Sequence, residues 1–332
     1  MRKFLVALLA LLMVAGCSTP AEEETVEVTE ENAEEVAEEI VEEIAEDTGA
    51  EVVVTEGLSI LTPTGAPAVA MIPAMLEESY TVATVDGTEV LQAAFVNPEP
   101  EYDVIVAPSN LGGKLASAGK TTYKMLAVVT WGNLYIVGSD ENALSGEGEL
   151  ALFGETAVPG LVFEKVLGET TTMNKTYYNA VTDAQAALLS DKADAALLAE
   201  PAATATIGKA KEAGKELKII ANLQEVWGGG YPQAALFVNA EDYAANPEKY
   251  DTLVDLMNAY IAGYNAEDTA ALEADIETIG VETLGVPAAA IVGKTYKRLG
   301  INEVTYAKDV KDQLAEFLGL FGVEGVDNIV AE

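Results

Sequence analysis

The side chains that most enzymes use as nucleophiles and general bases are nearly absent from this chain. It contains no histidine and one cysteine, Cys17, in 332 residues. Ser-His-Asp and Cys-His pairs are therefore excluded, together with the commonest zinc ligand and the usual general base near neutral pH. Carboxylates are plentiful, but no spacing singles out a catalytic pair. We expect no enzyme activity, no cofactor and no metal, and only a hydrolase built from carboxylates stays open.

The charged residues limit what this chain can bind. Asp and Glu number 55 and Lys and Arg 18, which gives a formal net charge of −37. Phosphate backbones repel such a chain, so we expect no nucleic-acid partner. Arg298 is the only arginine after Arg2. Because arginine binds carboxylate or phosphate with two parallel hydrogen bonds, a binding site here must use Arg298, a lysine or neutral donors.

Small and polar residues follow four predicted strands, at positions where α/β proteins bind ligands. These loops are Thr64-Gly65-Ala66, Pro108-Ser109-Asn110, Phe153-Gly154-Glu155-Thr156 and Ala199-Glu200-Pro201. Gly65 permits close backbone approach, and the helix after each loop presents unpaired N–H groups. Ser, Thr and Asn are also favoured at such positions as helix caps. A binding site is therefore predicted only if the loops converge on one cleft.

Two aromatic residues lie near the predicted cleft. Trp131 is one of two tryptophans and sits at a strand junction, whereas Tyr231 follows the triple glycine Gly228–Gly230. Either ring could stack on a ligand. The alternatives stay open that Trp131 fills the core and that the glycines form an ordinary flexible loop.

The order of the elements predicts the fold class. From Glu51 onward, short apolar strands alternate with helices, and the last part of the chain is mainly helical. This order is typical of an α/β fold with parallel sheets, helices on both faces and, here, a helical C-terminal tail. One helix is expected over Ala68–Glu78, with a kink at Pro73.

The alternation runs twice, which predicts two α/β lobes joined by a hinge. We place the hinge near Gly138–Ser145 and again near Leu223–Gly230. Lobe 1 then comprises residues 51–141 and 236–332, and lobe 2 comprises residues 142–235.

The first seventeen residues, MRKFLVALLALLMVAGC, have the order of an export signal. A positive start is followed by an apolar run too short to span a bilayer and by small residues before Cys17. The end of the segment resembles the bacterial lipobox, which implies that Cys17 is lipidated. Residues 1–16 would then be a lipoprotein signal peptide. The protein would lie outside the cytoplasm, anchored to the bacterial cell membrane.

Residues 17–50 form an acidic low-complexity segment after the lipidated cysteine. Fourteen acidic residues lie between Glu22 and Asp47, with no basic residue among them. Like charges repel, so the sequence predicts an extended, flexible linker. A weak apolar stripe at Val36, Ile40 and Ile44 keeps open a helix that binds a partner.

Three sequence blocks carry a resemblance to a known family. They are DVIVAPSNLGGKLASAGKTTYKMLAVVTWGNLYIVGSD (Asp103–Asp140), DKADAALLAEPAATATIGKA (Asp191–Ala210) and LQEVWGGGYPQAALFVN (Leu223–Asn239). The chain resembles the periplasmic solute-binding proteins of nitrate/taurine/sulfonate-type ABC importers, which are themselves similar to thiamine-pyrimidine binding proteins. The resemblance implies a type II periplasmic-binding-protein fold. Two lobes would close on a small molecule and present it to a membrane permease with its ATPase, and we expect a monomer.

The family's cleft positions correspond here to eight residues: Thr64, Gly65, Ser109, Asn110, Trp131, Thr156, Glu200 and Tyr231. Glu155 lies where the family often meets an anionic group, which opposes nitrate or sulfonate. We therefore favour a neutral or nitrogen-rich heterocycle, stacked on Trp131 or Tyr231 and hydrogen-bonded by Asn110 and Glu200. Glu200 could instead cap a helix and brace the hinge. A lipoprotein sensor or partner-binding module and, less favoured, a histidine-independent enzyme on the same fold stay as alternatives.

Overall fold

The computed structural model describes residues 57–332. The predictions for the signal peptide, for Cys17 and for the acidic linker therefore lie outside the described residues. The strands are β1 (Ser59–Pro63), β2 (Thr81–Val85), β3 (Val104–Pro108), β4 (Tyr123–Thr130), β5 (Leu134–Gly138), β6 (Glu149–Phe153), β7 (Asn174–Tyr178), β8 (Ala195–Ala199), β9 (Lys218–Asn222), β10 (Ala234–Asn239) and β11 (Thr305–Tyr306).

Helices separate most of these strands and make up most of the C-terminal part. They are α1 (Ala66–Ala70), α2 (Ile72–Leu76), α3 (Glu89–Val96), α4 (Ser109–Ser117), α5 (Val158–Val166), α6 (Val181–Leu189), α7 (Ala202–Glu212), α8 (Leu223–Trp227), α9 (Ala240–Ala245), α10 (Pro247–Gly263), α11 (Ala270–Ile279), α12 (Val281–Leu284), α13 (Ala289–Thr295) and α14 (Lys311–Gly319). Short 3-10 helices occupy Ala143–Ser145, Tyr296–Leu299, Ala307–Asp309 and Val326–Asn328. Between residues 57 and 332, no helix has both the length and the apolar character needed to cross a bilayer.

The strands form two mixed sheets. Sheet A has six strands in the order β11-β4-β10-β3-β1-β2, and sheet B has five in the order β7-β6-β8-β5-β9. In sheet A, β1 pairs in parallel with β2 and β3, whereas β10 runs antiparallel to β3 and β4. In sheet B, β6 is parallel to β7 and β8, and β5 is antiparallel to β8 and β9. This confirms the predicted α/β class with two sheets and interleaved helices.

The prediction of purely parallel sheets is wrong. The short edge strand β11 is antiparallel to β4, and two further antiparallel strands arise because the chain crosses between the sheets twice. Strand β4 ends at the carboxyl edge of sheet A, and β5 begins beside the end of β8 in sheet B. Strand β9 likewise leads to β10, which starts beside the end of β3. A strand that enters a sheet at its carboxyl edge must run opposite to the parallel strands. The two entering strands, β5 and β10, are therefore antiparallel.

The first crossing lies earlier than the hinge expected near Gly138–Ser145. Only residues 131–133 separate β4 from β5, and β5 already belongs to sheet B. The predicted boundary at residue 141 would assign β5 to lobe 1. In the sequence, two strands separated by three residues are expected to be neighbours in one sheet. The crossing is apparent only from the pairing of β5 with β8 and β9. The second crossing runs through Gly228–Gln233, since Leu223–Trp227 forms a helix.

The helix expected over Ala68–Glu78 is two short helices that meet at Met71. Pro73 lies in the first turn of α2, where its missing N–H costs nothing. A continuous helix would need that N–H and would press the proline ring against the carbonyl four residues earlier. The effect of Pro73 is therefore a break two residues upstream, stronger than the expected kink.

Three apolar layers cover the faces of the two sheets. Alternation along β5 illustrates their origin, because Leu134 and Ile136 face one layer and Tyr135 and Val137 face another. One layer packs on the outer face of sheet A and another on the outer face of sheet B. The middle layer contains residues from both sheets, from α3, α4, α5 and from α14, and we call it the shared core.

Candidate ligand-binding site

The strand register places the carboxyl edges of the two sheets at the two crossings. Ala234 at the start of β10 pairs with Pro108 at the end of β3 and with Thr130 at the end of β4. In sheet B, Leu134 at the start of β5 pairs with Ala199 at the end of β8. Both crossings therefore join one carboxyl edge to the other. These edges are where open α/β sheets bind ligands.

All eight residues predicted for the site lie at these edges. Thr64 and Gly65 follow β1, Ser109 and Asn110 begin α4, and Trp131 follows β4. Thr156 follows β6, Glu200 follows β8, and Tyr231 precedes β10. The topology thus places every predicted loop at a carboxyl edge, and the two crossings join these edges. The hydrogen bonds and burial of these eight residues decide which of them can still contact a ligand.

Thr64 and Gly65 are already bonded within sheet A and its helices. The Thr64 hydroxyl donates to Asp86 Oδ1 at 2.7 Å, and the Gly65 amide donates to the carbonyl of Leu284 at 2.7 Å. Gly65 has φ of 90°, and a Cβ built there would meet no atom within 4 Å. Glycine is required for its backbone angle, and the space beside it is open. Because the Thr64 hydroxyl uses its hydrogen on Asp86, its oxygen can still accept a hydrogen bond from a ligand.

Ser109 and Asn110 carry oxygens that make no hydrogen bond. Ser109 is 0% exposed, and neither its Oγ nor Asn110 Oδ1 has a partner among residues 57–332. Three further buried side-chain oxygens share this property and were not predicted: Asn133 Oδ1 in the first crossing, Gln233 Oε1 beside β10 and Tyr296 Oη, which lies in the apolar layer on the outer face of sheet A. Buried polar atoms are nearly always hydrogen-bonded in folded proteins. Four of these five oxygens lie at or beside the carboxyl edge of sheet A, where a bound group could satisfy them.

Sequence reasoning missed Asn133 and Gln233 although both types are ordinary ligand-binding residues. Asn133 lies two positions after Trp131, and Gln233 lies two positions after Tyr231. The only sequence signal was their place beside predicted aromatic residues. Their importance depends on burial and on the crossing itself, which the sequence did not reveal.

Trp131 and Thr156 occupy opposite edges with different exposure. Trp131 is half-buried against the shared core, and its amide donates to the carbonyl of Gly300 at 2.9 Å. Gly300 has φ of 79°, and a Cβ there would collide with the backbone of Trp131 and Gly132. The C-terminal part of the chain therefore fixes the first crossing. Thr156 and Glu155 are exposed just before α5, where they are free to meet a ligand or solvent.

Glu200 braces the junction between the sheets. Its carboxylate is 0% exposed; Oε1 accepts from Arg298 Nε at 2.9 Å and from the Thr204 hydroxyl at 2.8 Å. Oε2 accepts from the Thr204 amide at 3.1 Å, so Glu200 caps the start of α7. Its backbone exchanges hydrogen bonds with Asn133. Of the two roles considered for Glu200, these contacts support capping and bracing, and its carboxylate is not free for ligand N–H groups.

Tyr231 packs inside the molecule instead of lining an open cleft. It is 0% exposed, its ring stacks on Phe317 with centroids 5.6 Å apart, and its hydroxyl donates to Gln224 Oε1 at 3.1 Å. Burial raises the pKa of this hydroxyl well above 10. The predicted stacking of Tyr231 on a ligand does not fit this burial. Trp131 is the better-placed aromatic ring.

The charges at the two edges disfavour anions. Asp86 follows β2, and Glu155 follows β6, whereas the edge loops contain no lysine. Arg298, the sole arginine of the described residues, is paired with Glu200. An anionic ligand would meet carboxylates without a free cationic partner. No cluster of three or more His, Cys, Asp or Glu residues suited to a metal ion occurs between residues 57 and 332.

Comparison with solved structures identifies the fold. Over 83% of this chain and 96% of the other, an ABC transporter protein from Parabacteroides distasonis superposes with a TM-score of 0.64 at 20% identity. The fold is that of the periplasmic binding proteins. The aliphatic sulphonate binding protein SsuA from Escherichia coli matches at TM-score 0.60 and 14% identity, over 83% of this chain and 92% of the other. The nitrate-binding protein NrtA from Synechocystis PCC 6803 matches at 0.57 and 12% identity, over 83% and 86%.

The N-terminal segment matches a protein-family model. Residues 1–18 match the prokaryotic membrane lipoprotein lipid attachment site. This confirms the interpretation of the segment as a lipoprotein signal and places the protein outside the cytoplasm, anchored by lipid. No curated protein sequence matches the chain.

Proposed function

We propose that this protein is the substrate-binding lipoprotein of an ABC importer. It captures a small molecule between the carboxyl edges of its two sheets and delivers it to a permease with its ATPase. The observation that carries this proposal is the group of buried, unpartnered oxygens gathered where the chain crosses between sheets. The lipid attachment site and the binding-protein fold support it.

Capture requires movement of the two sheets about the crossings and no chemical step. The ligand favours the closed arrangement because it contacts both edges only when they meet. A chain without histidine lacks the usual general base, which supports a non-enzymatic role. We further propose that the protein acts as a monomer and that its ligand is a neutral or nitrogen-rich heterocycle. Arg298 is occupied by Glu200, which supports a ligand that needs no arginine.

Native mass spectrometry of the full lipoprotein, purified gently in mild detergent, tests capture. We expect a small molecule bound one to one. Uptake of that molecule by cells with and without this protein then tests delivery, and deletion should slow accumulation. A captured molecule whose uptake is unaffected by deletion would favour the sensor alternative. Failure to retain any small molecule, with no uptake defect, would contradict the proposal.

A further inference from the structure

The most informative unpartnered oxygen is that of Asn133. This residue is 6% exposed, and its Nδ2 donates to the carbonyl of Glu200 at 3.2 Å. Exchanging the two ends of the amide would place Oδ1 against that carbonyl oxygen, so the hydrogen bond fixes the orientation. Oδ1 then remains a buried acceptor with no donor among the residues that the structure describes. An acceptor of this kind can be satisfied only by an N–H or O–H group.

Three other such oxygens lie on segments bonded to one another. The Ser109 amide donates to the Gln233 carbonyl at 2.9 Å, and the Gln233 amide donates to the Thr130 carbonyl at 2.9 Å. The first crossing, which carries Asn133, begins directly after Thr130. Ser109 Oγ, Asn110 Oδ1, Asn133 Oδ1 and Gln233 Oε1 therefore belong to one patch, which we call the acceptor patch. Amide oxygens supply three of its four atoms, and amide oxygens only accept.

The surroundings of the acceptor patch favour the same class of ligand. Asp86 and Glu155 lie at the two edges, and the edge loops lack lysine. Carboxylates attract a cation and repel carboxylate, phosphate or sulfonate groups. Trp131 is half-buried directly after β4 and can cover a flat ring or a delocalised cation.

We propose, on the basis of the function proposed above, that the acceptor patch recognises a planar nitrogen compound with several N–H donors, such as an amidine, a guanidine or an amino-substituted heterocycle. Asn133 Oδ1 and Gln233 Oε1 accept hydrogen bonds from the N–H groups of this ligand. Several acceptors converging on a planar donor set give orientation as well as affinity, because each N–H lost leaves a buried oxygen unpaired. The Ser109 hydroxyl and the amide nitrogens of Asn110 and Gln233 can also donate hydrogen bonds, so discrimination against an anion depends on Asp86, Glu155 and the lack of lysine in the edge loops.

The test compares two panels of ligands on the full lipoprotein in mild detergent. Calorimetry and thermal shift are measured with benzamidine, creatinine and cytosine, and with nitrate, taurine and methanesulfonate. We expect stabilisation by at least one nitrogen compound and by no anion. Stabilisation by the anions alone would overturn the assignment. Absence of binding by all three nitrogen compounds would also overturn it, whereas a captured molecule of another class would leave the proposed function standing.

Variants at Gln233 locate the binding. Gln233→Ala removes an acceptor, and affinity for the bound nitrogen compound should fall about tenfold or more. Gln233→Glu keeps acceptor oxygens and adds negative charge, so affinity for the cation benzamidine should be retained or increased. Gln185→Ala is the matched control, because Gln185 is bonded to Thr206 on α7, in sheet B's outer layer of helices. Equal affinities in Gln233→Ala and Gln185→Ala would refute the role of the acceptor patch.

Asn133→Ala provides an independent measurement. Its folding is checked by circular dichroism, and its affinity should fall by a factor similar to that of Gln233→Ala. If both variants bind the nitrogen compound as tightly as the natural protein, the four oxygens are satisfied by solvent only and the proposal is wrong.

Discussion

At the scale of single residues, the pairing of Glu200 with Arg298 is the most consequential interaction. The carboxylate is fully buried, whereas the arginine side chain is 44% exposed. A buried charge that loses its partner is costly, because little water can replace the partner. Arg298 also donates to the Thr204 hydroxyl at 2.7 Å. One arginine therefore connects the C-terminal part of the chain to the start of α7.

Arg298→Gln should lower the free energy of unfolding by about 2 kcal/mol, a value kept small because the arginine is partly solvated. Lys294→Gln is the matched control, since it removes the same charge from an exposed position four residues earlier without any bonded partner among residues 57–332. Urea unfolding at neutral pH measures both. Equal stabilities of the two variants would show that the pair contributes nothing.

Asp103 predicts a defined pH dependence. Burial alone would raise its pKa, but hydrogen bonds from Ser59 and the charge of Lys249 outweigh it and lower the pKa. The Ser59 amide and hydroxyl each donate to Oδ2 at 2.7 Å, and Lys249 Nζ lies 3.3 Å from Oδ1. Since the folded pKa lies below the unfolded value of about 3.9, this stabilisation is complete above the unfolded pKa and is lost as pH falls through the folded pKa.

Asp103→Asn should therefore be less stable than the natural protein at pH 5 to 7, and the difference should shrink as the pH is lowered below about 4. Denaturant unfolding over a pH series measures this difference. Asp309→Asn serves as the control, because Asp309 is exposed and has no bonded partner in the part of the chain described. A difference that does not change with pH would contradict the assignment.

The positions of the site residues could be predicted from sequence, but their functions could not. Loops after apolar strands are local features, and all eight predicted residues lie at the carboxyl edges. The role of Glu200 depends on Arg298, 98 residues away, and that of Tyr231 on Phe317. No local pattern encodes such partners. Asn133 and Gln233 became candidates for ligand binding only because the structure buries their oxygens without a hydrogen-bond partner among residues 57–332.

At the scale of elements, helix α4 approaches sheet A more closely than a helix with ordinary side chains could. A Cβ built on Gly112 would collide with the Phe237 ring of β10. This contact sets how near the start of α4, with Ser109 and Asn110, lies to the edge of the sheet. Glycine is therefore required at position 112 for packing and not for its backbone angle.

Gly112→Ala should destabilise the fold by about 1–3 kcal/mol, because the rigid ring cannot move without disturbing the shared core. Gly208→Ala is the matched control within α7, where the added Cβ would meet no atom within 4 Å. That substitution should stabilise the protein by about 0.5–1 kcal/mol through helix propensity. Thermal unfolding followed by circular dichroism measures both, and shifts of the same sign would contradict this account.

The elements themselves were largely predictable, and their pairing was not. The buried run Val104–Ala107, which precedes the predicted loop Pro108-Ser109-Asn110, lies in β3, because an uninterrupted apolar stretch suits a strand covered on both faces. The strand extends one residue further than predicted, to Pro108. Which sheet β5 joins depends on partners in β8 and β9, about sixty to ninety residues further on. The two-residue strand β11 pairs with β4 by the same kind of distant contact, and although Thr305 and Tyr306 favour strands, two residues are too few to show an alternating pattern.

At the scale of the whole molecule, Cys17 is the residue that we expect to carry the lipid anchor. It is the only cysteine, and it lies within the matched lipid attachment site. Cys17→Ala should abolish lipid attachment and leave residues 1–16 uncleaved, since the processing signal ends at this cysteine. Mass spectrometry of membrane and soluble fractions measures both, and Ser18→Ala should keep the lipid. A membrane-bound Cys17→Ala protein of otherwise natural mass would refute the assignment.

The shared core predicts that the two sheets unfold together. It contains Ile105 and Phe237 from sheet A and Leu150 and Leu197 from sheet B. Helix α14 strengthens the junction, because Phe317 contacts the rings of Tyr231 and Trp227 with centroids 5.6 and 6.2 Å away. Unfolding of either sheet would therefore expose apolar residues of the other, which lowers the free energy of unfolding of the sheet that remains.

Urea unfolding followed by tryptophan fluorescence and by circular dichroism should give one coincident transition. Trp131 and Trp227, the two tryptophans of the chain, both lie at the junction between the sheets. Phe317→Ala should cost about 3–5 kcal/mol and move the fluorescence transition below that of circular dichroism, because it opens a cavity at the junction. Phe95→Ala removes a side chain of α3 that, among residues 57–332, contacts only sheet A rings, those of Tyr123 and Phe237. This variant should weaken the protein comparably while both transitions stay together. Two separate transitions in the natural protein would mean that the shared core does not couple the sheets.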